Sequence, residues 1–193
     1  MFNKEIYVQR RKKLIEKIGS GLVLLMGNDE SPMNYADNGY HFRQDSSFLY
    51  YFGIDFPGLA GIIDVDSQKQ LIFGDDYTID DIVWMGSQPT IAERATTGGI
   101  SESFPVSELS KIVHAAQQKG REIHFLPPYR PENKLKIQQL TSFHPDEISS
   151  KSSLKLIRAV VSQREIKSSE EIIEIEHGVN LSVDMHIAAM QLI

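Results

Sequence analysis

Leu22-Val23-Leu24-Leu25-Met26 is an unbroken apolar run set between Gly19-Ser20-Gly21 and Gly27. Such a run between breakers reads as a buried strand. A helical pattern leads into it, with Asn3 placed to cap a helix that ends near Ile18. The alternation continues downstream. Asp45 can cap a short aromatic helix over residues 46–52 that Gly53 stops. Residues 59–65 and 70–73 are β-rich runs about the polar turn Asp66-Ser67-Gln68-Lys69, which predicts an antiparallel hairpin. Thr78 can cap a short helix carrying Ile82, Val83 and Trp84, and residues 89–103 read as a helical turn plus loop. Residues 107–119 form a helical pattern ending at Gly120, and strand character resumes over 122–126. Leu135, Ile137 and Leu140 suggest another helix, residues 145–153 a linker, and 154–163 a short buried segment. The expected fold class is α/β, a mixed β-sheet flanked by helices.

Hydrophobic residues at 41% and charged residues at 24% match a folded globular chain. No stretch approaches the roughly 18 continuous apolar residues of a membrane span, so no membrane partner is expected. The first nineteen residues lack an apolar h-region, which argues against a secretory signal and for the cytoplasm. The absence of cysteine excludes a disulfide framework, a thiolate metal site and a cysteine nucleophile. A net charge of -6 argues against nucleic acid as a partner. The local exception, Arg10 to Lys13, reads as a solvated helix face beside the apolar stripe of Tyr7, Leu14, Ile15 and Ile18.

Chemistry is sparse in these residues. None of the six histidines forms an i, i+4 zinc-binding pair with a glutamate, and His177 and His186 fall on opposed helix faces. Asp75-Asp76 and Asp80-Asp81 lack a calcium-loop pattern and read as solvated turn and first-turn charges. Ser152-Ser153-Leu154-Lys155 fits a serine-lysine pattern without its partner motifs, and Asn180-Leu181-Ser182 is a sequon in mid-helix. No self-sufficient active site is expected.

Near the end, Ser168 and Glu171 form a capping box. Ile172, Ile175, Val179, Val183, His186 and Met190 then recur at helical spacing, and no stop signal precedes Ile193. This predicts a cut inside a longer protein and an apolar face that is partly exposed or self-associated. The expected organisation is an α/β domain over residues 1–163, then a linker and the first helix of a further domain over 164–193.

The run Tyr40 to Asp55, YHFRQDSSFLYYFGID, followed by Pro57-Gly58 and the strand at 59–65, resembles the amino-terminal domain of aminopeptidase P and its prolidase and creatinase relatives. A second anchor is Asp80-Asp81-Ile82-Val83-Trp84-Met85-Gly86, which departs from the family by Met85 in place of an aromatic and an extra residue before Trp84. The Lys167-Ser168-Ser169-Glu170-Glu171-Ile172 core resembles the junction into the catalytic domain. The resemblance implies a creatinase-like amino-terminal fold. It also implies a missing pita-bread domain with two divalent ions, usually manganese, on two aspartates, one histidine and two glutamates. The implied reaction removes the residue ahead of a penultimate proline by metal-hydroxide attack on the carbonyl. The implied partners are peptides with proline second and further copies in a homo-oligomer. Asp37 and Trp84 stand where relatives place pocket-rim residues, and Arg43 joins them as a substrate-binding candidate. Without that role Arg43 is expected to pair with a local carboxylate, while Phe48, Tyr50, Tyr51 and Phe52 pack the core. A dipeptide-cleaving prolidase and a catalytically dead, partner-binding homologue are the alternatives.

Overall fold

The computed structural model describes residues 1–192, so Ile193, the expected end of the last helix, lies outside the described residues. One compact unit spans Met1–Val160 and a second begins at Val161.

In the first unit α1 (Lys4–Ile18) leads into β1 (Leu22–Met26), then α2 (Ser46–Phe52) and the hairpin β2 (Ala60–Asp64) and β3 (Lys69–Phe73). There follow α3 (Ile79–Met85), α4 (Ile91–Thr97), β4 (Glu102–Phe104), α5 (Ser107–Gln118), β5 (Ile123–Phe125), α6 (Pro131–Thr141), α7 (Ile148–Lys151) and α8 (Leu154–Arg164), which begins in this unit and runs past its boundary at Val160. The sheet has five strands in the order β4-β3-β2-β1-β5. The hairpin is antiparallel, with Ile62 opposite Leu71, and β1 is antiparallel to β2. The outer pairs, β1 with β5 and β3 with β4, are parallel.

The pleat sorts β1 into two cores. Val23 and Leu25 face Leu14 and Ile18 of α1, the aromatics of α2, Ile91 of α4 and Leu156 of α8. Leu22 and Leu24 face Leu109 and Val113 of α5, Ile137 of α6 and Ile148 of α7. Helices thus cover both faces of the sheet, which is why a fully apolar β1 is stable there.

Asp45 caps α2 as expected, its Oδ1 accepting from Ser47 N at 2.9 Å and Phe48 N at 2.8 Å. Gly53 ends α2 with φ 67°. A Cβ at this position would lie 2.4 Å from the Tyr7 ring. Asn3 holds the cap position of α1 but makes no side-chain cap bond.

Three expectations are corrected. Residues 89–103 hold a helix and the edge strand β4, not a turn and loop. The stretch 145–153 contains α7, whose Ile148 is fully buried and anchors the second core. The basic run of α1 is split: Lys12 and Lys13 are exposed, but Arg10 is 7% and Arg11 0% exposed. Arg11 donates to Tyr51 O at 2.7 Å, Gly98 O at 2.8 Å and Gly99 O at 3.2 Å. Those carbonyls lie at the carboxyl ends of α2 and α4, where helix carbonyls lack partners and the dipole is negative. Two helix ends therefore do the work of a carboxylate. Arg10 stacks on Tyr50 at 3.9 Å and donates to Tyr50 O at 3.0 Å.

At the opposite sheet end, Arg121 bonds Asp64, Asp66 Oδ2 at 2.6 Å and Gly21 O at 3.2 Å, clamping the hairpin turn to the start of β1. His124 is buried between Ser153 Oγ, 2.7 Å from Nδ1, and Ser20 O, 3.1 Å from Nε2. Because the Ser20 carbonyl only accepts, Nε2 carries a proton. Ser153 also takes the N–H of Leu156, so this serine is a structural cap.

In the second unit α9 (Ser169–Gln191) opens on the capping box of Ser168 and Glu171, and none of its residues is buried. No described helix is long and apolar enough to cross a membrane.

Candidate functional site

Strands β1, β3, β4 and β5 point the same way, since β2 is antiparallel to both its neighbours and the outer pairs are parallel. Their carboxyl ends therefore share one edge of the sheet, where open α/β sheets place their ligands. The connections after β1 and after β3 both leave from that edge. The first carries Asp37 and Arg43 and the second leads to Trp84.

The connection after β1 is held at its base. Gly27 N donates to Leu59 O at 2.8 Å, and Gly58 N to Asn28 O at 3.0 Å. Gln44, 4% exposed, accepts from Asn28 N at 2.8 Å and Asp45 N at 2.9 Å and donates to Phe56 O at 2.7 Å. Beyond this base the chain forms a small two-sided loop. Pro32 bridges Gly39, Met33 N donates to Asn38 O at 2.8 Å, and Tyr40 N to Ser31 O at 2.9 Å. Asp37 sits exposed in the turn of that loop, which also carries the exposed Tyr35 and leads to the exposed Tyr40.

Arg43 is exposed. Its main-chain carbonyl accepts from Asn28 Nδ2 at 2.9 Å. Its guanidinium makes no ion pair among the described residues, so the expected local carboxylate pair is not formed. The aromatics behave as expected: Phe48, Tyr51 and Phe52 are fully buried and Tyr50 packs on the same core.

Beyond β3, Asp76 Oδ1 accepts from Ile91 N at 2.6 Å and Asp75 Oδ1 from Val106 N at 3.0 Å, fastening this exit to the starts of α4 and α5. These aspartates thus satisfy backbone donors rather than only meeting water. Thr78 and Asp81 form a capping box, and the Thr78 hydroxyl and N–H hold the Asp81 carboxyl below the usual carboxylate range. α3 then projects with no buried residue, and Trp84 at its last turn is 86% exposed beside Val83 and Met85. Such an indole contributes nothing to the core.

Asp37, Arg43 and Trp84 therefore stand on two connections from one sheet edge, all solvent-facing. Sequence reasoning passed over Asn28 and Gln44, the buried amides that position this edge. The glutamine was present in the recognised aromatic-Arg-Gln run, but its role depends on partners at Ile54 and Phe56 that only the fold supplies. Among the described residues, no group of three or more His, Cys, Asp and Glu could hold a metal ion. The five-ligand, two-metal centre implied by the resemblance does not fit the described residues.

Residues 7–124 match the family described as "Aminopeptidase P, N-terminal domain". Over 185 residues, 93% of this chain, the sequence is 28% identical to the probable Xaa-Pro aminopeptidase PEPP of Sordaria macrospora, of which it covers 31%. It is 32% identical to human Xaa-Pro dipeptidase over 88 residues, 42% of this chain and 18% of that protein. The chain thus spans about a third or less of the length of these curated relatives. The fold is that of Pseudomonas aeruginosa aminopeptidase PepP, with a TM-score of 0.80 at 19% identity over 98% of this chain and 44% of that one. The chain belongs to the aminopeptidase P amino-terminal domain family.

Proposed function

We propose that the chain is the non-catalytic amino-terminal domain of a Xaa-Pro aminopeptidase, and that it helps to form the substrate pocket and a homo-oligomer. Residues outside the described ones would hold the two divalent ions, manganese by the family resemblance, so no step of the hydrolysis is assigned to this chain. The observation that carries this reading is the family match over residues 7–124, with relatives named for Xaa-Pro cleavage.

Exposure of Asp37, Arg43 and Trp84 at one sheet edge supports their positioning roles. An indole offers a flat apolar wall for a proline ring, a carboxylate attracts the peptide's ammonium group, and a guanidinium suits its oxygens. The exposed apolar side chains of α3 support an interface between copies. Domain boundaries at 163/164 and a cytoplasmic setting, the latter based on composition, complete the proposal.

The chain alone, given manganese and a Xaa-Pro peptide, is expected to show no turnover. Manganese-dependent cleavage that tracks the folded 193-residue chain would contradict it. A second reading, cleavage of Xaa-Pro dipeptides, is favoured by the match to human Xaa-Pro dipeptidase. Comparing kcat/KM for dipeptides and longer peptides in the complete protein separates the two readings, and a complete protein that binds no metal would point to the partner-binding homologue.

A further inference from the structure

β1 and β5 are parallel neighbours whose chains leave for opposite faces: β1 leads to α2 in the first core and β5 to α6 in the second. Divergence of this kind opens a crevice between strand ends. Here it is a cleft of about 40 Å³ walled by Met26, Pro127 and Ile137, with Asp45, Tyr129 and Asn133 as polar lining. Asn133 is 6% exposed, and its Oδ1 is buried with no partner among the described residues.

The orientation of that oxygen follows from its neighbours. The Arg43 carbonyl only accepts, so Asn28 turns its Nδ2 toward it, at 2.9 Å, and toward Tyr129 Oη, at 3.0 Å. Asn28 Oδ1 then faces Asn133 and also only accepts, so Asn133 presents its Nδ2, at 3.3 Å. Asn133 Oδ1 is left as a fixed acceptor that wants a donor. Asp45 adds a second acceptor: its Oδ1 caps α2, and its Oδ2 has no partner among the described residues. Of the nearby cations, Lys136 is committed to Asp29 at 2.6 Å and Arg130 to Asp29 O at 3.2 Å and Ser31 Oγ at 2.9 Å, while Arg43 is exposed to solvent. Asp45 is thus the formal charge on the lining.

We propose that this cleft binds the end of a primary alkylammonium group. The ammonium donates to Asn133 Oδ1 and the Asp45 carboxylate, and its stem packs on Met26, Pro127 and Ile137. One water needs about 10–15 Å³ by this measure, so the cleft takes about three non-hydrogen atoms, a nitrogen and a two-carbon stem. A hydroxyl has one proton to donate and serves one of the two acceptors, whereas an ammonium serves both.

The test is a titration of the ¹⁵N-labelled 193-residue chain with ethylammonium chloride, with ethanol and sodium chloride alongside, read at the side-chain amides of Asn28 and Asn133. Saturating shifts at about millimolar ethylammonium, absent with ethanol and sodium chloride, are expected. A response that never saturates, or one matched by ethanol, overturns the proposal and leaves a site for water or hydroxyl groups. Nα-acetyl-lysine amide and glycinamide distinguish the source: saturation by either supports the site, and the tighter names a lysine side chain or a peptide amino terminus. Asn133→Leu should weaken ethylammonium at least tenfold. The wild-type titration can overturn the proposal by itself, whether or not that variant folds.

Discussion

Arg11 shows how a charge is held inside this domain without a counter-ion. Burial pushes its pKa down to about 10, so it stays cationic at neutral pH, and three helix-end carbonyls solvate it. Arg11→Met fills the space but strands those carbonyls, and should cost about 3 kcal/mol in urea unfolding, whereas Lys12→Met should stay within about 0.5 kcal/mol. Equal losses would show that the carbonyl cage is not stabilising. Asp64 works in the opposite sense. Burial alone would raise its pKa, but the Arg121 guanidinium and the Ser67 N–H and hydroxyl hold it below the usual carboxylate range. A depressed carboxyl stabilises the fold above its unfolded value, about 3.9, and that contribution is lost as pH falls through the lower folded value. Unfolding measured from pH 6 down to pH 2 should therefore show an acid-side loss that Arg121→Ala reduces. An unchanged acid limb in that variant would contradict the assignment.

At the scale of elements, β1, the hairpin, α2 and α5 were legible because each carries its own punctuation: glycine breaks, a polar turn, an Asp cap, a glycine stop. β4 and α7 were not. β4 is a three-residue edge strand whose existence depends on parallel pairing with β3, thirty residues away, and α7 is a single turn whose signal is one apolar side chain. The buried arginines were misread for a related reason. A basic run looks solvated until two other helices bring their carboxyl ends to it, and no local pattern encodes that meeting. The end of α2 offers a direct check. Gly53 combines φ 67° with the Tyr7 ring against its missing Cβ, so Gly53→Ala should lower stability by about 1–3 kcal/mol. Gly120, also at positive φ but with nothing near its Cβ, isolates the backbone part and should cost less on the same change. Equal costs by thermal unfolding would deny the Tyr7 contact its share.

The first unit is a sheet covered by helices on both faces, with its stabilising ion cluster at one sheet end and its exposed candidates at the other. Asp37, Arg43 and Trp84 were legible as residues through the family-like runs that hold them. Their common edge was not, because it follows from the strand order. Trp84 carries most weight, since at 86% exposure it is not packed in the core. The most direct measurement is kcat/KM on a Xaa-Pro peptide for Trp84→Ala in the complete protein, with melting temperature and metal content measured alongside. A fall of about tenfold to a hundredfold, which is about 1–3 kcal/mol of transition-state binding, is predicted with both controls unchanged. An unchanged kcat/KM in the folded, metal-loaded variant would contradict the substrate-positioning role.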